Sequence, residues 1–299
     1  MKNNVLYYSV GPLLYCPANR ISITDSLINE RFGNRFSLAL CLEDTINDDH
    51  VEEAEQILIS SLSQIFIQHK QKPFYLPKIF IRVRNPQQIQ RLTKALGQSI
   101  KIVTGFIVPK FSPDNAQSYI EQMILVNELV AKKLYMMPIY ESPSIIDLRN
   151  RIDILYLLRD SLARIEDLIL NIRVGGNDLC HMFGFRRHAN ESIHSIRPVS
   201  DIFSDIITVY GMDYVISGPV WEYYAGDSWK EGMIQEIRED RLCGFIGKTV
   251  IHPSQIPVVN RAYQVSRNDY LDAQAILNWN ADSASLVAGS KTRERMNEY

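Results

Sequence analysis

The chain has few cysteines and no pattern among them. Its 299 residues include four cysteines, which stand far apart and form no C-x-x-C pair. This excludes a disulfide-stapled scaffold and a cysteine-rich zinc site, and cysteines inside apolar segments are commonly free thiols. We therefore expect reduced cysteines and a cytoplasmic location.

An excess of basic residues and a long apolar run are also missing. Lysines and arginines number 32 against 34 aspartates and glutamates, for a formal net charge of −2. The electrostatic signature of a nucleic-acid binder is therefore absent. The N-terminal apolar stretch is broken by Gly11 and Pro12, which argues against a signal peptide or a membrane span. We expect a small-molecule partner, with neither nucleic acid nor membrane.

Several enzyme motifs are absent as well. The sequence has no G-x-S-x-G nucleophile elbow, no H-E-x-x-H pair and no GxxxxGK[ST] phosphate loop. These absences argue against a serine hydrolase of the elbow type, a zinc protease and a P-loop nucleotide-binding protein.

The sequence does contain a regular alternation of two kinds of segment. Eight short apolar runs predict strands, and most segments between them have the apolar spacing of helices. This order predicts parallel strands joined by right-handed crossovers, and eight of them predict an α/β fold, the (β/α)8 TIM barrel. We expect a single domain over residues 1–299, with its core at about 10–256 and a short helical and polar extension at 257–299. The predicted strands are Leu13–Cys16, Ser37–Leu42, Lys78–Val83, Gly105–Val108, Tyr135–Ile139, Ile169–Val174, Tyr214–Ser217 and Phe245–Ile251, and the predicted helices include Val51–Gln68, Gln87–Leu96, Asn115–Lys133 and Ile145–Leu162.

Two acidic residues follow two of these strands: Glu141 after the fifth and Asp178 after the sixth. The carboxyl ends of barrel strands meet at one mouth, so we expect the two side chains to lie together. Two carboxylates are enough to bind magnesium, which keeps waters and leaves positions for substrate oxygens. Each acid alone also fits a structural role, Glu141 as a helix N-terminal charge and Asp178 as a turn residue.

Other charged residues follow the second, third and fourth strands. The adjacent Glu43 and Asp44 could orient metal-bound water, hold an arginine or act as acid and base, or could cap a solvated loop. Arg82 and Arg84 alternate along the third strand, so we predict that both project to one face. Buried guanidiniums there require anionic partners and could stabilise an enolate. Lys110 adds a cation at the same level or lies in an exposed loop.

Seven motifs occur in order along residues 10–265: LYCPAN at 14–19, LCLEDTI at 40–46, IRVRN at 81–85, IVPK at 107–110, Glu141, GGNDL at 175–179 and GKTVIHPSQI at 247–256. As an ordered set they resemble the citrate lyase β-subunit family, within the HpcH/HpaI aldolase superfamily. The resemblance implies a metal-dependent TIM barrel that cleaves or forms a carbon–carbon bond next to an acid or thioester. It also implies a homo-oligomer, with a trimer favoured.

The resemblance also assigns roles to individual residues. Glu141 and Asp178 look like the ligands of magnesium, with manganese as the alternative ion. Arg82 looks like a catalytic group that binds a substrate carboxylate or enolate oxygen. Glu43 and Asp44 look like the catalytic acidic pair beneath the metal. The substrate-binding residues implied are Arg82, Arg84, Lys110 and Asn19.

Three functions stay open on this reasoning. The first is a magnesium-dependent lyase acting on a 2-oxo or hydroxy acid or on its thioester with coenzyme A or an acyl carrier. The second is a catalytically silent barrel subunit that binds an acyl carrier or another protein. The third is a pyruvate-forming aldolase acting on a free hydroxy-oxo acid. The family's E-T-A reads Glu-Ser-Pro from Glu141, and its F-G-x-x-D reads V-G-G-N-D at 174–178. We therefore do not expect citrate itself as the substrate.

Overall fold

Eight parallel strands form one sheet in which neighbours along the chain are neighbours in space. The computed structural model describes residues 4–279, 285–290, 292 and 294–298. The last strand pairs with the first, and a parallel bridge between Gly218 and Lys248 joins the remaining two ends. The predicted (β/α)8 barrel is therefore confirmed. The strands are β1 (Pro12–Pro17), β2 (Ser37–Cys41), β3 (Lys78–Arg82), β4 (Val103–Val108), β5 (Tyr135–Tyr140), β6 (Ile172–Val174), β7 (Ile216–Ser217) and β8 (Lys248–Val250).

Within residues 1–262, helices follow the strands and pack outside the barrel. In the longest of them, Leu58, Leu62 and Ile65 are fully buried, because residues spaced by three or four share one face of a helix. The third helix starts where the Asn85 side chain accepts a hydrogen bond from the Gln88 amide, which satisfies one of the free amides of the first turn. The helices are α1 (Ser22–Ile28), α2 (Val51–Gln71), α3 (Pro86–Leu96), α4 (Ala116–Leu129), α5 (Arg151–Ala163), α6 (Gly176–Phe183), α7 (Arg197–Tyr210), α8 (Trp229–Leu242), α9 (Ile256–Ala262) and α10 (Arg267–Leu277).

The predicted helix boundaries fail most clearly after the fifth strand. We predicted a helix from Ile145, but α5 begins at Arg151. The Ser142 side chain instead caps a single 3-10 turn, Pro143–Ile145. Asp147 then accepts hydrogen bonds from the backbone and side chain of Arg149. Such local side-chain bonds compete with helical ones, and they delay the helix by about two turns.

The barrel interior has an apolar floor beneath a polar mouth. Leu13, Phe80 and Met137 belong to one buried apolar cluster inside the barrel. Side chains alternate along a strand, so Arg82, two residues after Phe80, projects to the same interior one level higher. Along β3, the apolar Phe80 thus lies deeper in the barrel and the charged Arg82 lies nearer the carboxyl end of the strand.

The chain divides into two compact units, residues 1–262 and 263–299. The described part of the second unit contains α10 and an antiparallel pair of strands, β9 (Val287–Gly289) and β10 (Met296–Glu298). The predicted extension at 257–299 overlaps this unit. Throughout the described residues, no helix combines the length and the apolar character needed to cross a bilayer.

Candidate active site

A cavity of about 300 Å³ opens at the carboxyl ends of the strands. Of the predicted site residues, Asp44, Arg82, Glu141 and Asp178 line its wall. They come from four different strand ends, which is how a barrel assembles a site from residues far apart in sequence. The other lining residues are Tyr15, Thr45, Ile139, Arg173, Val174, Gly175, Gly176, Asn177, Val220, Thr249 and Ile251.

Arg82 is the centre of the charged groups in this cavity. Its Nη2 atom lies 2.6 Å from Oε2 of Glu43 and 2.8 Å from Oδ2 of Asp44. The same nitrogen donates to Oε1 of Glu141 at 3.0 Å. Its guanidinium also lies 5.8 Å from the ring centre of Tyr15. The buried cation thus has the anionic partners that it requires, and it holds three carboxylates at one place.

Lys110 is a second cation on the same acids. Its amine lies 2.6 Å from Oε1 of Glu43 and 3.3 Å from Oδ1 of Asp44, and these contacts raise its pKa above the ordinary value despite partial burial. Lys110 has a positive φ of 48°, which is unfavourable for a residue with a side chain. That backbone turn lets its amide donate to Oε1 of Glu141 at 3.2 Å. The loop after β4 therefore contacts the site through both backbone and side chain.

Glu141 and Asp178 meet as predicted. Glu141 is 3% exposed, and burial raises its pKa to about 8 against the opposing effect of Arg82. The charge of Asp178, in the first turn of α6, and a hydrogen bond between the two side chains raise it further. With a pKa of about 8, the Glu141 carboxyl group favours its protonated form at neutral pH even though Arg82 lies beside it.

The pKa values of Glu43 and Asp44 are shifted in opposite directions. Burial raises the pKa of Glu43. Burial also disfavours the charged form of Asp44, but Arg82 and Lys110 outweigh it and lower the pKa of Asp44. Asp44 is half-exposed, whereas Glu43 is buried. Neighbouring carboxyl groups with separated pKa values are suited to act as a proton donor and an ionised partner.

Two predicted substrate-binding residues lie elsewhere. The prediction that Arg84 shares a strand face with Arg82 is wrong, because β3 ends at Arg82. The Arg84 guanidinium donates instead to backbone oxygens of Leu42 at 2.7 Å and Glu43 at 3.0 Å, which secures the loop after β2. Asn19 is exposed in the turn after β1 and does not line the cavity.

Among the lining residues that were not predicted, Arg173 and Tyr15 bear most on the chemistry of the cavity. Arg173 lies within β6, fully buried, and its Nη2 donates to Oγ1 of Thr249 at 2.5 Å. Tyr15 from β1 is hydrogen-bonded to Arg173, and burial raises its pKa to about 12. The one available sequence signal was an arginine inside an otherwise apolar run. A buried charge at such a position is costly unless a polar group pairs with it, so an arginine there indicates a polar site inside the barrel.

The lysine of the GKTVIHPSQI motif is part of a separate buried cluster. Lys248 is fully buried and donates to Oε1 of Glu236 at 2.9 Å and Oδ2 of Asp240 at 2.6 Å, both on α8. Arg187 pairs with the other oxygen of Glu236. The cluster attaches α8 to the barrel, and Lys248 does not line the cavity.

The ligand atoms at the mouth are carboxylate oxygens. Within the part of the chain that the structure describes, no three histidine, cysteine or acidic side chains are grouped as a metal site. Magnesium does not need three, since one or two carboxylates with waters and substrate oxygens complete its shell. Glu141 and Asp178, already in contact at the cavity wall, fit that ion better than they fit zinc, which prefers nitrogen and sulfur ligands.

Comparison with known proteins assigns the chain to a family. A family model described as a C–C bond lyase of the TIM-barrel fold matches residues 4–299. No curated protein matches the chain.

Solved structures resemble the chain at low sequence identity. The citrate lyase β subunit of M. tuberculosis complexed with oxaloacetate and magnesium is 19% identical, with a TM-score of 0.55 over 88% of this chain and 100% of that one. Protein CitE of M. tuberculosis in complex with magnesium, acetoacetate and coenzyme A is 17% identical, with a TM-score of 0.61 over 98% and 94%. RipC of Yersinia pestis is 15% identical, with a TM-score of 0.59 over 88% and 99%. The resemblance to citrate lyase β subunits is thereby confirmed, and at these identities the likeness shows the fold.

Proposed function

The chain belongs to the C–C bond lyase family of the TIM-barrel fold, and we propose on that premise that it is a magnesium-dependent lyase acting on a small carboxylic acid or its acyl thioester. The observation that carries the proposal is the contact of Arg82 with three carboxylates at the strand ends, two of which, Asp44 and Glu141, line the cavity together with Arg82. The reaction would be an aldol or Claisen-type cleavage, or its reverse.

Glu141 and Asp178 would hold the magnesium ion. Their oxygens are the donors that a hard cation prefers, and they share one cavity of a size suited to a small molecule. Two similar structures contain magnesium together with small acids, oxaloacetate in one and acetoacetate in the other. A bound magnesium ion would supply Lewis-acid polarisation of a substrate carbonyl. Manganese accepts the same oxygen ligands and is the alternative ion.

Arg82 would bind and stabilise the oxygen that becomes negative when the carbon–carbon bond breaks. Its guanidinium is buried, so it acts in a poorly solvated site where charge–charge interactions are strong. Glu43, Asp44 and Glu141 hold it in place before substrate arrives. Such preorganisation spares the cost of orienting the group during the reaction.

Glu43 would hold the proton that the reaction moves. Burial raises its pKa, while its neighbour Asp44 stays ionised beside Arg82 and Lys110. The amine of Lys110 contacts Oε1 of Glu43, while Arg82 contacts Oε2. These two contacts fix the orientation of the Glu43 carboxyl group. The pair therefore offers a proton donor and its ionised partner within reach of the cavity.

Titration calorimetry with magnesium tests the metal site. Glu141→Gln and Asp178→Asn preserve side-chain shape and remove one ligand charge each, so each should weaken magnesium binding at least about 10-fold. Asp160→Asn, on an exposed part of α5, is the matched control and should bind like the wild type. Unchanged affinity in both site variants would contradict the assignment.

Turnover assays separate this function from the two alternatives. Cleavage of citramalyl, malyl or citryl thioesters supports the lyase. Pyruvate release from free hydroxy-oxo acids would favour an aldolase. Failure with every substrate, together with binding to an acyl carrier protein, would favour a silent partner-binding subunit.

A further inference from the structure

Tyr15 is a proton-bearing side chain in the cavity wall, apart from the acids at the mouth. It lies on β1 and lines the cavity together with Arg82 and Glu141. Its ring packs against the apolar cluster of the barrel interior. Burial raises the pKa of its hydroxyl group to about 12, so the group carries its proton at neutral pH. Tyr15 therefore brings a poorly solvated O–H group to the cavity.

Two cations flank the Tyr15 side chain. The Arg82 guanidinium lies 5.8 Å from the centre of its ring, and Arg173 is hydrogen-bonded to its hydroxyl group. An arginine only donates hydrogen bonds, so Arg173 binds the hydroxyl oxygen and leaves the hydroxyl hydrogen untouched. That hydrogen is available to a molecule in the cavity.

Arg173 carries a buried charge that no acid neutralises. Its side chain is 1% exposed, and its Nη1 atom makes no hydrogen bond within the described structure. Its Nη2 atom donates to the hydroxyl group of Thr249 at 2.5 Å. A buried charge that lacks an anionic partner is costly. If Tyr15 gives up its proton, the resulting phenolate supplies that partner, so this arrangement stabilises the ionised form of Tyr15 in preference to the resting one.

We propose that Tyr15 is the acid that protonates the carbon atom released when the carbon–carbon bond breaks. Arg173 is the positioning residue, which orients the Tyr15 hydroxyl group and balances the phenolate charge without touching the substrate. The inference rests on the proposed function, because it takes the bond to be broken in this cavity. It adds a residue for the proton transfer to carbon, a step that the acids at the mouth leave unassigned.

The two ends of the broken bond need two proton transfers. In a retro-aldol cleavage the substrate hydroxyl group loses a proton, and the electron pair of the carbon–carbon bond passes to the enolate. The pair of Glu43 and Asp44, which keeps one ionised carboxylate, accepts the hydroxyl proton. The Tyr15 O–H bond then breaks as a C–H bond forms on the enolate carbon. The acid pair afterwards releases one proton to solvent and the phenolate takes one up, so the enzyme returns to its starting state.

Exchange of product protons with solvent tests the Tyr15 step separately from cleavage. A group that protonates an enolate carbon also removes that proton in the reverse direction. In heavy water with magnesium, the wild type should therefore move deuterium into the methyl group of pyruvate or of acetyl-coenzyme A, as followed by NMR. Tyr15→Phe keeps the ring and removes the hydroxyl group, so exchange should slow about 100-fold to 10,000-fold, the range for a general acid or base. Magnesium affinity should stay unchanged.

Two further sets of variants complete the test. Tyr156→Phe, on an exposed part of α5 outside the cavity, is the matched control and should exchange like the wild type. Arg173→Met removes the charge that balances the phenolate, so exchange should slow at least about 100-fold. Arg173→Lys retains the charge and should recover part of that loss. A purely structural role of Arg173 would lower the exchange rate equally in both variants.

Exchange at the wild-type rate in Tyr15→Phe overturns the proposal, and so does a loss in Arg173→Lys as large as that in Arg173→Met. Either comparison decides the question if a variant of the other fails to fold. Cleavage of the thioester panel separates this result from the proposed function. If the wild type cleaves a thioester but exchanges neither probe, the Tyr15 assignment fails and the lyase stands. If it exchanges a probe through Tyr15 but cleaves nothing, the lyase fails and the proton-transfer role stands.

Discussion

Gly175→Ala should displace Glu141 and thereby test the geometry of the acid pair. A Cβ atom on Gly175 would lie 2.0 Å from Oε2 and 2.4 Å from Cβ of Glu141. The backbone of Gly175 has a φ of −95°, which alanine adopts without strain. The effect of the substitution therefore comes from the collision alone.

The expected magnitude follows from the contacts that hold Glu141. Its Oε2 atom must move at least about 1.4 Å to restore an ordinary contact. Arg82 and the amide of Lys110, which both bind Oε1, oppose that movement. Overpacking of this kind costs about 1–3 kcal/mol of unfolding free energy. Metal sites tolerate displacements of only about 0.2 Å, so magnesium affinity should fall about 10-fold to 100-fold.

Urea unfolding without metal and calorimetry with magnesium measure the two effects. Gly289→Ala in β9 is the matched control, because its added Cβ meets no atom of the described residues within 4 Å. Stability and magnesium affinity of Gly175→Ala that both match this control would refute the described packing. A loss of stability alone would refute the role of Glu141 as a ligand.

Three further predictions concern charged residues. Burial raises the pKa of Glu141 from its ordinary 4.5 to about 8, so between these pH values the folded metal-free protein keeps a proton that the unfolded chain releases. The free energy of unfolding, relative to that of Glu141→Gln, should therefore fall as the pH rises from 4.5 to 8. A difference between the two proteins that does not depend on pH would contradict the raised pKa. Lys248→Met leaves Glu236 and Asp240 buried with fewer partners, so urea unfolding should show a loss of about 3–5 kcal/mol, against little change for the exposed Lys94→Met. Arg84→Met removes hydrogen-bond donors to the backbone of the loop that carries Glu43, so kcat should fall while KM stays nearly unchanged. A raised KM at constant kcat would instead support direct contact between Arg84 and the substrate.

The barrel was predictable because its signals are local and repeated. Each strand is a short apolar run and each helix has a three-to-four-residue spacing, so eight alternations leave one common architecture. The errors fall at element ends, as at Ile145, where side chains of Asp147 and Ser142 bind nearby backbone in place of helical partners. Such competition depends on local geometry that apolar spacing does not record.

The candidate site was predictable where a residue directly follows a strand. Glu43, Asp44, Glu141 and Asp178 could be grouped from sequence because parallel strands in a barrel bring their carboxyl ends together. Arg84 could not be placed, because the end of β3 at Arg82 decides which side chains still alternate. Arg173 was missed because it lies inside a strand, where an arginine gives no indication of which neighbours surround it.

The sequence by itself thus determined the fold and the level at which the acids lie, since both follow from short-range periodicity and from the direction of parallel strands. The tertiary structure alone decided which charges are neutralised. Arg82 meets three carboxylates from two other strand ends, whereas among the described residues Arg173 meets only hydroxyl groups. That difference depends on the distances between side chains brought together by closure of the barrel, and Coulomb energies in a buried site depend on those distances.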